Sequence, residues 1–182
     1  MSHPEAILDA AETVAAILKE FQVDTVIIGA LALAAHHYVR FTEDIDLGIN
    51  TDIKTLRQIA DALREKNLQV ELREPDADDP LSGVIDVTGS FGMVQIINFG
   101  QTFPAVIFDA IRCATLTVRR DSNLRLAPLP HLVALKLYAG RLKSKADIAE
   151  LLARNLDADL DEIRNVCDSY RLQGLEEILD EM

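Results

Sequence analysis

The stretch from residue 25 to residue 50 constrains the fold more than any other part of the chain. It begins with a short apolar strand that ends at Gly29, continues as an alanine- and leucine-rich helix through Tyr38, and ends with a second strand. The second strand carries Asp44 and Asp46, and side chains two residues apart on a strand project from the same face. The pattern therefore predicts a strand that borders a cleft with two carboxylates.

Three features distinguish this pair from an ordinary surface Asp-x-Asp. Gly29 lies where a strand gives way to a helix, a place where free backbone N–H groups bind phosphate. A single helix joins Gly29 to the acids, so both can border one cleft. Arg40 and Thr42 precede the acids and could supply a cation and a hydroxyl to a phosphate. The alternative role for Arg40 is a structural ion pair with Glu43 or Asp44.

A β-hairpin is predicted downstream, with strands at 83–88 and 93–99 around a turn at 89–92. With a turn of that length, Asp86 faces Gln95, and the two share one face of the hairpin. The other face is apolar. It contains Ile85, Val87, Val94 and Ile96.

The remaining segments are mostly helical by their apolar spacing. The predicted helices cover 4–20, 51–66, 103–111, 128–138, 145–154 and 159–172, with a short one at the end. A third strand is predicted at 68–73, an acidic loop at 74–80, and two short strands at 115–119 and 123–126. The predicted fold class is α/β (α+β): a mixed sheet flanked by helices at 1–127, with a helical region at 128–182 packed on it.

Charge limits the class of partner. The net charge is −12, which argues against wrapping by long nucleic acid. The segment 112–145, however, holds eight Lys or Arg and one acid, Asp121. This segment suits a small anionic ligand or a local patch, and a tRNA end beside it remains an open alternative.

The chain is expected to be cytoplasmic. Cys113 and Cys167 have no metal-like spacing, and two unpaired thiols fit a reducing compartment. The first residues show no basic region or cleavage site typical of a signal peptide. The longest apolar run, residues 26–35, is about half of a membrane span.

The motif around the two acids resembles that of the nucleotidyltransferase superfamily, which includes DNA polymerase beta. The family pattern is an apolar residue, Gly, then Gly or Ser, a spacer, and Asp-apolar-Asp-apolar. Here Ile28-Gly29-Ala30 precedes thirteen residues and Asp44-Ile45-Asp46-Leu47. Residues 34–46, 127–136 and 143–147 look closest to the bacterial minimal and AbiEii-like nucleotidyltransferases, including those of toxin–antitoxin pairs.

The resemblance implies transfer of a nucleoside monophosphate from an NTP to a hydroxyl of a protein, RNA or small molecule. Asp44, Asp46 and a third carboxylate would be the catalytic metal ligands for two Mg²⁺ ions, with Mn²⁺ as a substitute. Asp86 is the candidate third acid, although many relatives carry that acid on a strand where this chain has Gln95. The nucleotide would be bound by Gly29, Ala30, Arg40, Thr42 and Lys136, and a surface role for Lys136 is the alternative.

Two departures from the family pattern leave a second hypothesis open. Gln95 stands where an acid is common, and Ala30 stands where the family prefers Gly or Ser. The alternative is therefore a catalytically degenerate protein that acts as a nucleotide-binding or toxin–antitoxin-type partner. A protein partner or a homodimer is compatible with either hypothesis.

Overall fold

The computed structural model describes residues 4–40, 42–75, 81–100, 104–140 and 142–182. Within these ranges the chain forms eight α-helices and one five-stranded sheet. The strands are β1 (Thr25–Ile27), β2 (Asp44–Ile49), β3 (Gln69–Arg73), β4 (Val84–Gly89) and β5 (Gly92–Asn98). The helices are α1 (Pro4–Glu20), α2 (Ala30–Ala35), α3 (Ile53–Glu65), α4 (Pro104–Cys113), α5 (Leu129–Ala139), α6 (Leu142–Arg154), α7 (Leu160–Ser169) and α8 (Leu175–Asp180). Residues 76–80 of the predicted acidic loop and residue 103 of a predicted helix lie outside the described residues.

The sheet is mixed, as predicted, with the strand order β1-β2-β5-β4-β3. β2 and β5 are parallel, and the other neighbouring pairs are antiparallel. The predicted hairpin register is confirmed, because Asp86 lies opposite Gln95. On the other side of β5, Gln95 lies opposite Asp46 of β2. Directly opposed residues share a face of a sheet, so Asp46, Gln95 and Asp86 form one polar row across three strands.

The other face of these strands belongs to the core. Its side chains are each 3% exposed or less: Ile45, Leu47, Ile85, Val87, Val94 and Ile96. α1 packs against β2 and β5, and α3 packs against β3 and α1. Asp52 caps the start of α3 by accepting from the Thr55 N–H at 2.9 Å. One face of the sheet is therefore committed to packing, which leaves the other face for polar side chains.

The C-terminal helices pack around α5, which contacts α4, α6 and α7. Gly140 ends α5 in the left-handed conformation, with φ of 61°. The Ala127 N–H donates to the Ile27 carbonyl at 2.9 Å, which joins the segment before α5 to β1. The division of the chain at residue 127 stays a prediction. In the described ranges, no helix combines the length and the apolar character needed to cross a membrane.

Predicted elements differ from the structure at α2 and in the segment 115–126. α2 ends at Ala35 rather than Tyr38, because His37 has φ of 64° and cannot continue a right-handed helix. The two strands predicted at 115–126 are reduced to isolated bridges, of which one pairs Thr117 with Arg125. Arg119 in this segment is instead held against α1 by an ion pair with Glu12 at 2.5 Å.

Candidate active site

Asp44 and Asp46 alternate along β2 with the buried Ile45 and Leu47, so both acids project from the polar face. The hydroxyl of Thr42 donates to the carboxylate of Asp44. The Asp44 N–H in turn donates to the Thr42 Oγ1 at 3.4 Å. Thr42 thereby orients the Asp44 side chain. Its predicted contact with a nucleotide stays a prediction.

Gly29 lies directly beneath the carboxylate of Asp46. A Cβ atom placed on Gly29 would lie 1.6 Å from Asp46 Oδ2 and 2.5 Å from Asp46 Cγ. The φ of Gly29 is −88°, outside the left-handed region, so this glycine is required for space and not for a positive φ. Without a side chain at position 29, the Asp46 carboxylate can approach the start of α2 at Ala30.

The environment of Asp46 disfavours its charged form. Burial, and after it the neighbouring Asp44 carboxylate, raises the pKa of Asp46 from 3.8 to about 6, against the lowering effect of Lys136, Arg40 and Lys143. A bound cation would relieve the repulsion between the two carboxylates. Asp44 and Asp46 could therefore hold a metal ion together, and the rest of its coordination would come from water and phosphate oxygens.

The raised pKa of Asp46 predicts a pH-dependent stability. Between about pH 4 and pH 6 the folded chain keeps a proton that the unfolded chain has released, so stability falls as pH rises through this range. The loss should reach roughly 2–3 kcal/mol by pH 7. Chemical unfolding of the wild type and Asp46→Asn with a chelator, from pH 4 to pH 7.5, measures it. A difference in unfolding free energy between the two that does not change with pH would refute the prediction.

A cavity of about 420 Å³ opens beside Asp46. This volume lies within the range of roughly 300–1,000 Å³ that is usual for small-molecule sites. Its apolar lining includes Leu81, Ile97, Phe99, Leu132, Leu135 and Tyr138. Its charged and polar lining includes Arg40, Asp46, Gln95, Lys136, Lys143 and Asp147. A second cavity of about 180 Å³, on the side of Lys136 that faces α8, falls below that range.

A buried carboxylate holds the cations on the α5–α6 side of the cavity. Asp147 is 3% exposed, and its Oδ2 lies 2.6 Å from the Nζ of Lys136. Its Oδ1 lies 3.8 Å from Nη1 of Arg40. The Nε of Arg40 is buried and has no hydrogen-bond partner among the described residues. A buried donor without a partner is costly, so Arg40 keeps one unsatisfied donor beside the cavity.

Asp86 has a different environment from the Asp44–Asp46 pair. Its Oδ1 accepts from Gln95 Nε2 at 2.6 Å, and its Oδ2 lies 2.9 Å from Nη2 of Arg73. Asp86 is not among the residues that line the cavity. In the part of the chain that the structure describes, no three His, Cys, Asp or Glu side chains are grouped so that they alone could hold a metal. The role of Asp86 as the third ligand stays a prediction.

The structure thus brings Gly29, Arg40, Asp46 and Lys136 to one cavity, while Ala30 is buried beside them at the start of α2. Asp147 was not predicted from the sequence to belong to the site. The sequence does contain a feature that could have indicated it, because Asp147 lies on the same face of its helix as the apolar Leu151, four residues later. An acid on a buried stripe requires a buried cation.

Comparison with known proteins identifies the family. The sequence profile of the family described as "Nucleotidyl transferase AbiEii toxin, Type IV TA system" matches residues 14–181. No curated protein matches the sequence significantly.

Several solved structures share the fold. An antigenic nucleotidyltransferase-like protein from Paracoccidioides brasiliensis has a TM-score of 0.54 at 16% identity, over 92% of this chain and 88% of the other. The solution structure of the antibiotic-resistance factor ANT(2'')-Ia gives 0.55 at 13% identity, over 94% and 93%. ANT(2'')-Ia in complex with adenylyl-2''-tobramycin gives 0.54 at 12%, over 90% and 96%. At these identities the likeness establishes the fold. Since the family profile covers nearly the whole chain, the resemblance read from the sequence is confirmed, and this chain belongs to the AbiEii nucleotidyltransferase family.

Proposed function

We propose that this protein transfers a nucleoside monophosphate from an NTP to a hydroxyl acceptor in a metal-dependent reaction. The observation that carries the proposal is the cavity in which Asp46 faces the cationic side chains of Arg40 and Lys136. Nucleotidyl transfer is the activity of the family to which the chain belongs. Asp46 lines the cavity with the two cations, and Asp44 lies outside that lining on the same face of β2. This arrangement would provide separate places for a metal ion and for a triphosphate.

The donor set fits Mg²⁺, and Mn²⁺ as a substitute. Asp44 and Asp46 offer carboxylate oxygens, and Mg²⁺ is typically bound through one or two carboxylates together with substrate phosphates and water. When bound, such ions supply activation of an acceptor hydroxyl and neutralisation of charge on a leaving pyrophosphate. Asp86 is retained as the third carboxylate of this proposal, and its ion pair with Arg73 would have to open for that role.

The other residues of the cavity would bind and orient the nucleotide. Arg40 and Lys136 would bind the triphosphate, because both are cations that line the cavity and both are held by Asp147. Gly29 and Ala30 would border the phosphates at the start of α2. The apolar walls around Ile97 and Phe99 would exclude water from the sugar and the base.

A second candidate is a degenerate protein that binds a nucleotide or a toxin–antitoxin partner without catalysis. The engagement of Asp86 by Arg73 and Gln95 favours this candidate. Isothermal titration with each NTP, with and without Mg²⁺, separates the two when it is combined with mass spectrometry of protein, RNA and small-molecule fractions. Mg²⁺-dependent binding followed by an NMP mass increment supports transfer, and binding without any increment supports the degenerate protein.

Gly29→Ala should reduce kcat/KM for transfer by about 100-fold while the fold is kept. The new Cβ would occupy the position of Asp46 Oδ2, so the carboxylate must move by an ångström or more, a displacement that typically has this effect. Circular dichroism and steady-state kinetics measure the two parts of this prediction. The matched control is Gly89→Ala, whose Cβ would meet the ring of Phe91 in the exposed hairpin turn. A loss of similar size in the control, or full activity in Gly29→Ala, would count against the prediction.

A further inference from the structure

The segment 36–40 begins the connection from α2 to the strand that carries the two acids, and it brings Arg40 to the cavity. It has no regular secondary structure. His37 has a positive φ of 64°, and Val39 is 79% exposed. Tyr38 packs against the core, but the rest of the segment has little apolar burial, so its order also depends on specific contacts.

Those contacts come from the end of α6 and from the segment before α5. Asn155 Nδ2 donates to the His36 carbonyl at 2.7 Å, and the guanidinium carbon of Arg154 lies 5.4 Å from the centroid of the Tyr38 ring. His36 Nε2 donates to the Ala127 carbonyl at 2.8 Å, just before α5. The segment is thus tied at its beginning to the C-terminal end of α6 and to the residues just before α5.

The contacts of the segment follow α6 in reverse order along the chain. Arg40 contacts Asp147, whereas His36 and Tyr38 contact residues 154–155, so the segment runs antiparallel to α6. Asn155 also donates to the Leu151 carbonyl at 2.8 Å, which fixes its side chain to the last turn of α6. The segment therefore lies along α6 and is held by contacts at both of its ends.

We propose that Asn155, assisted by Arg154, is a positioning residue for nucleotide binding. Neither residue lines the cavity. Asn155 holds the beginning of the segment, and Asp147 holds the end, so that the guanidinium of Arg40 faces the phosphates. This inference rests on the proposed function for its consequence in binding, and on the contacts alone for its consequence in local order.

Hydrogen exchange tests the local order without a substrate. The amides of His36 and Tyr38 donate to the last turn of α2 and are expected to be protected. Asn155→Asp removes the donor and places a carboxylate against two carbonyl oxygens. The peptide covering residues 36–44 should then exchange about 10-fold faster, with α1 and β4 unchanged. Unchanged exchange in residues 36–44 would overturn the inference.

Kinetics and binding test the consequence for the nucleotide. Asn155→Asp should raise the KM and the Kd for NTP by about 5- to 20-fold, with kcat within about threefold of wild type. In a double-mutant cycle with Arg40→Ala, most of this increase should vanish, because Asn155 acts through Arg40. Equal effects with and without Arg40 would overturn the positioning role.

Two further variants keep the test decisive. Arg154→Ala removes the contact with Tyr38, and because the Arg154 side chain is half exposed this variant should fold. It should give a smaller increase in exchange and in KM than Asn155→Asp, and it replaces that variant in the test if Asn155→Asp does not fold. Asn123→Asp is the matched control, since Asn123 Nδ2 donates to the Glu12 carbonyl at 3.2 Å, on a contact with α1. It should change neither exchange in residues 36–44 nor KM. If wild type binds no NTP, the proposed function fails, and the exchange result still decides the role of Asn155.

Discussion

Asp46→Asn should abolish Mg²⁺-dependent nucleotidyl transfer, with kcat/KM falling at least about 1,000-fold. Loss of an outer partner of a metal ligand typically costs about 10- to 100-fold, and Asp46 is proposed as a ligand itself. The amide retains the shape above Gly29 but removes the charge that the cation needs. NTP titration in the presence of Mg²⁺ and steady-state kinetics measure the effect. The raised pKa of Asp46 means that its charged carboxylate destabilises the folded protein at pH 7. The variant, which lacks this charge, should therefore be at least as stable as wild type at pH 7.

Two further variants are needed to interpret the result for Asp46→Asn. Asp61→Asn is the control, since Asp61 is an exposed acid on α3 that pairs with Arg64 at 2.8 Å, and it should leave activity unchanged. Asp86→Asn decides the role of the third acid. A loss comparable with that of Asp46→Asn would place Asp86 in the metal site, and a loss below about tenfold would leave it as a partner of Arg73. Full activity in Asp46→Asn would remove the basis for a metal site on β2.

Asn98→Ala should lower the free energy of unfolding by about 3–5 kcal/mol. Asn98 is 0% exposed, and its amide donates to the carbonyls of Thr51 and Ser82, each at 3.0 Å. Its Oδ1 accepts from the N–H groups of Thr51 at 2.9 Å and Gly100 at 3.1 Å. Truncation leaves four backbone groups without these partners, at about 1–3 kcal/mol for each that water cannot reach.

The size of this effect is large relative to the usual stability of a domain, about 5–15 kcal/mol. Urea unfolding followed by circular dichroism measures it. Asn123→Ala is the matched control, because Asn123 is exposed and makes its bond to α1 at the surface. The control should lose less than about 1 kcal/mol. An equal decrease in the free energy of unfolding in the two variants would show that the buried hydrogen bonds of Asn98 stabilise the fold no more than the exposed one of Asn123.

The sequence predicted the sheet well where alternation alone decides the outcome. In the hairpin, a four-residue turn and an apolar face determine which side chains oppose each other, so Asp86 opposite Gln95 followed directly. The same alternation assigns Asn98 to the core face with Val94 and Ile96. It does not reveal the partners of Asn98, because these are backbone groups of Thr51 and Ser82 that only the fold brings near.

The site was predictable to the level of the strand and not to the level of side-chain partners. Gly29 and Asp46 were recognised as neighbours of one cleft, but the close approach that excludes a Cβ depends on how β1 and β2 pair. The ion pair of Asp86 with Arg73 was missed because the long side chain of Arg73 reaches Asp86 from the next strand. Asp147 was missed because its cations come from two other parts of the chain.

The most direct test of nucleotidyl transfer compares NTP labelled on the α-phosphate with NTP labelled on the γ-phosphate. Each labelled NTP is incubated with this protein and with one candidate acceptor fraction, which contains cellular proteins, RNA or small molecules. Every reaction is run once with Mg²⁺ and once with a chelator. Transfer of a nucleoside monophosphate predicts that the α-label enters one fraction only with Mg²⁺, that the γ-label leaves as pyrophosphate, and that Asp46→Asn yields neither. Incorporation of the γ-label, or of the α-label by Asp46→Asn, would contradict it.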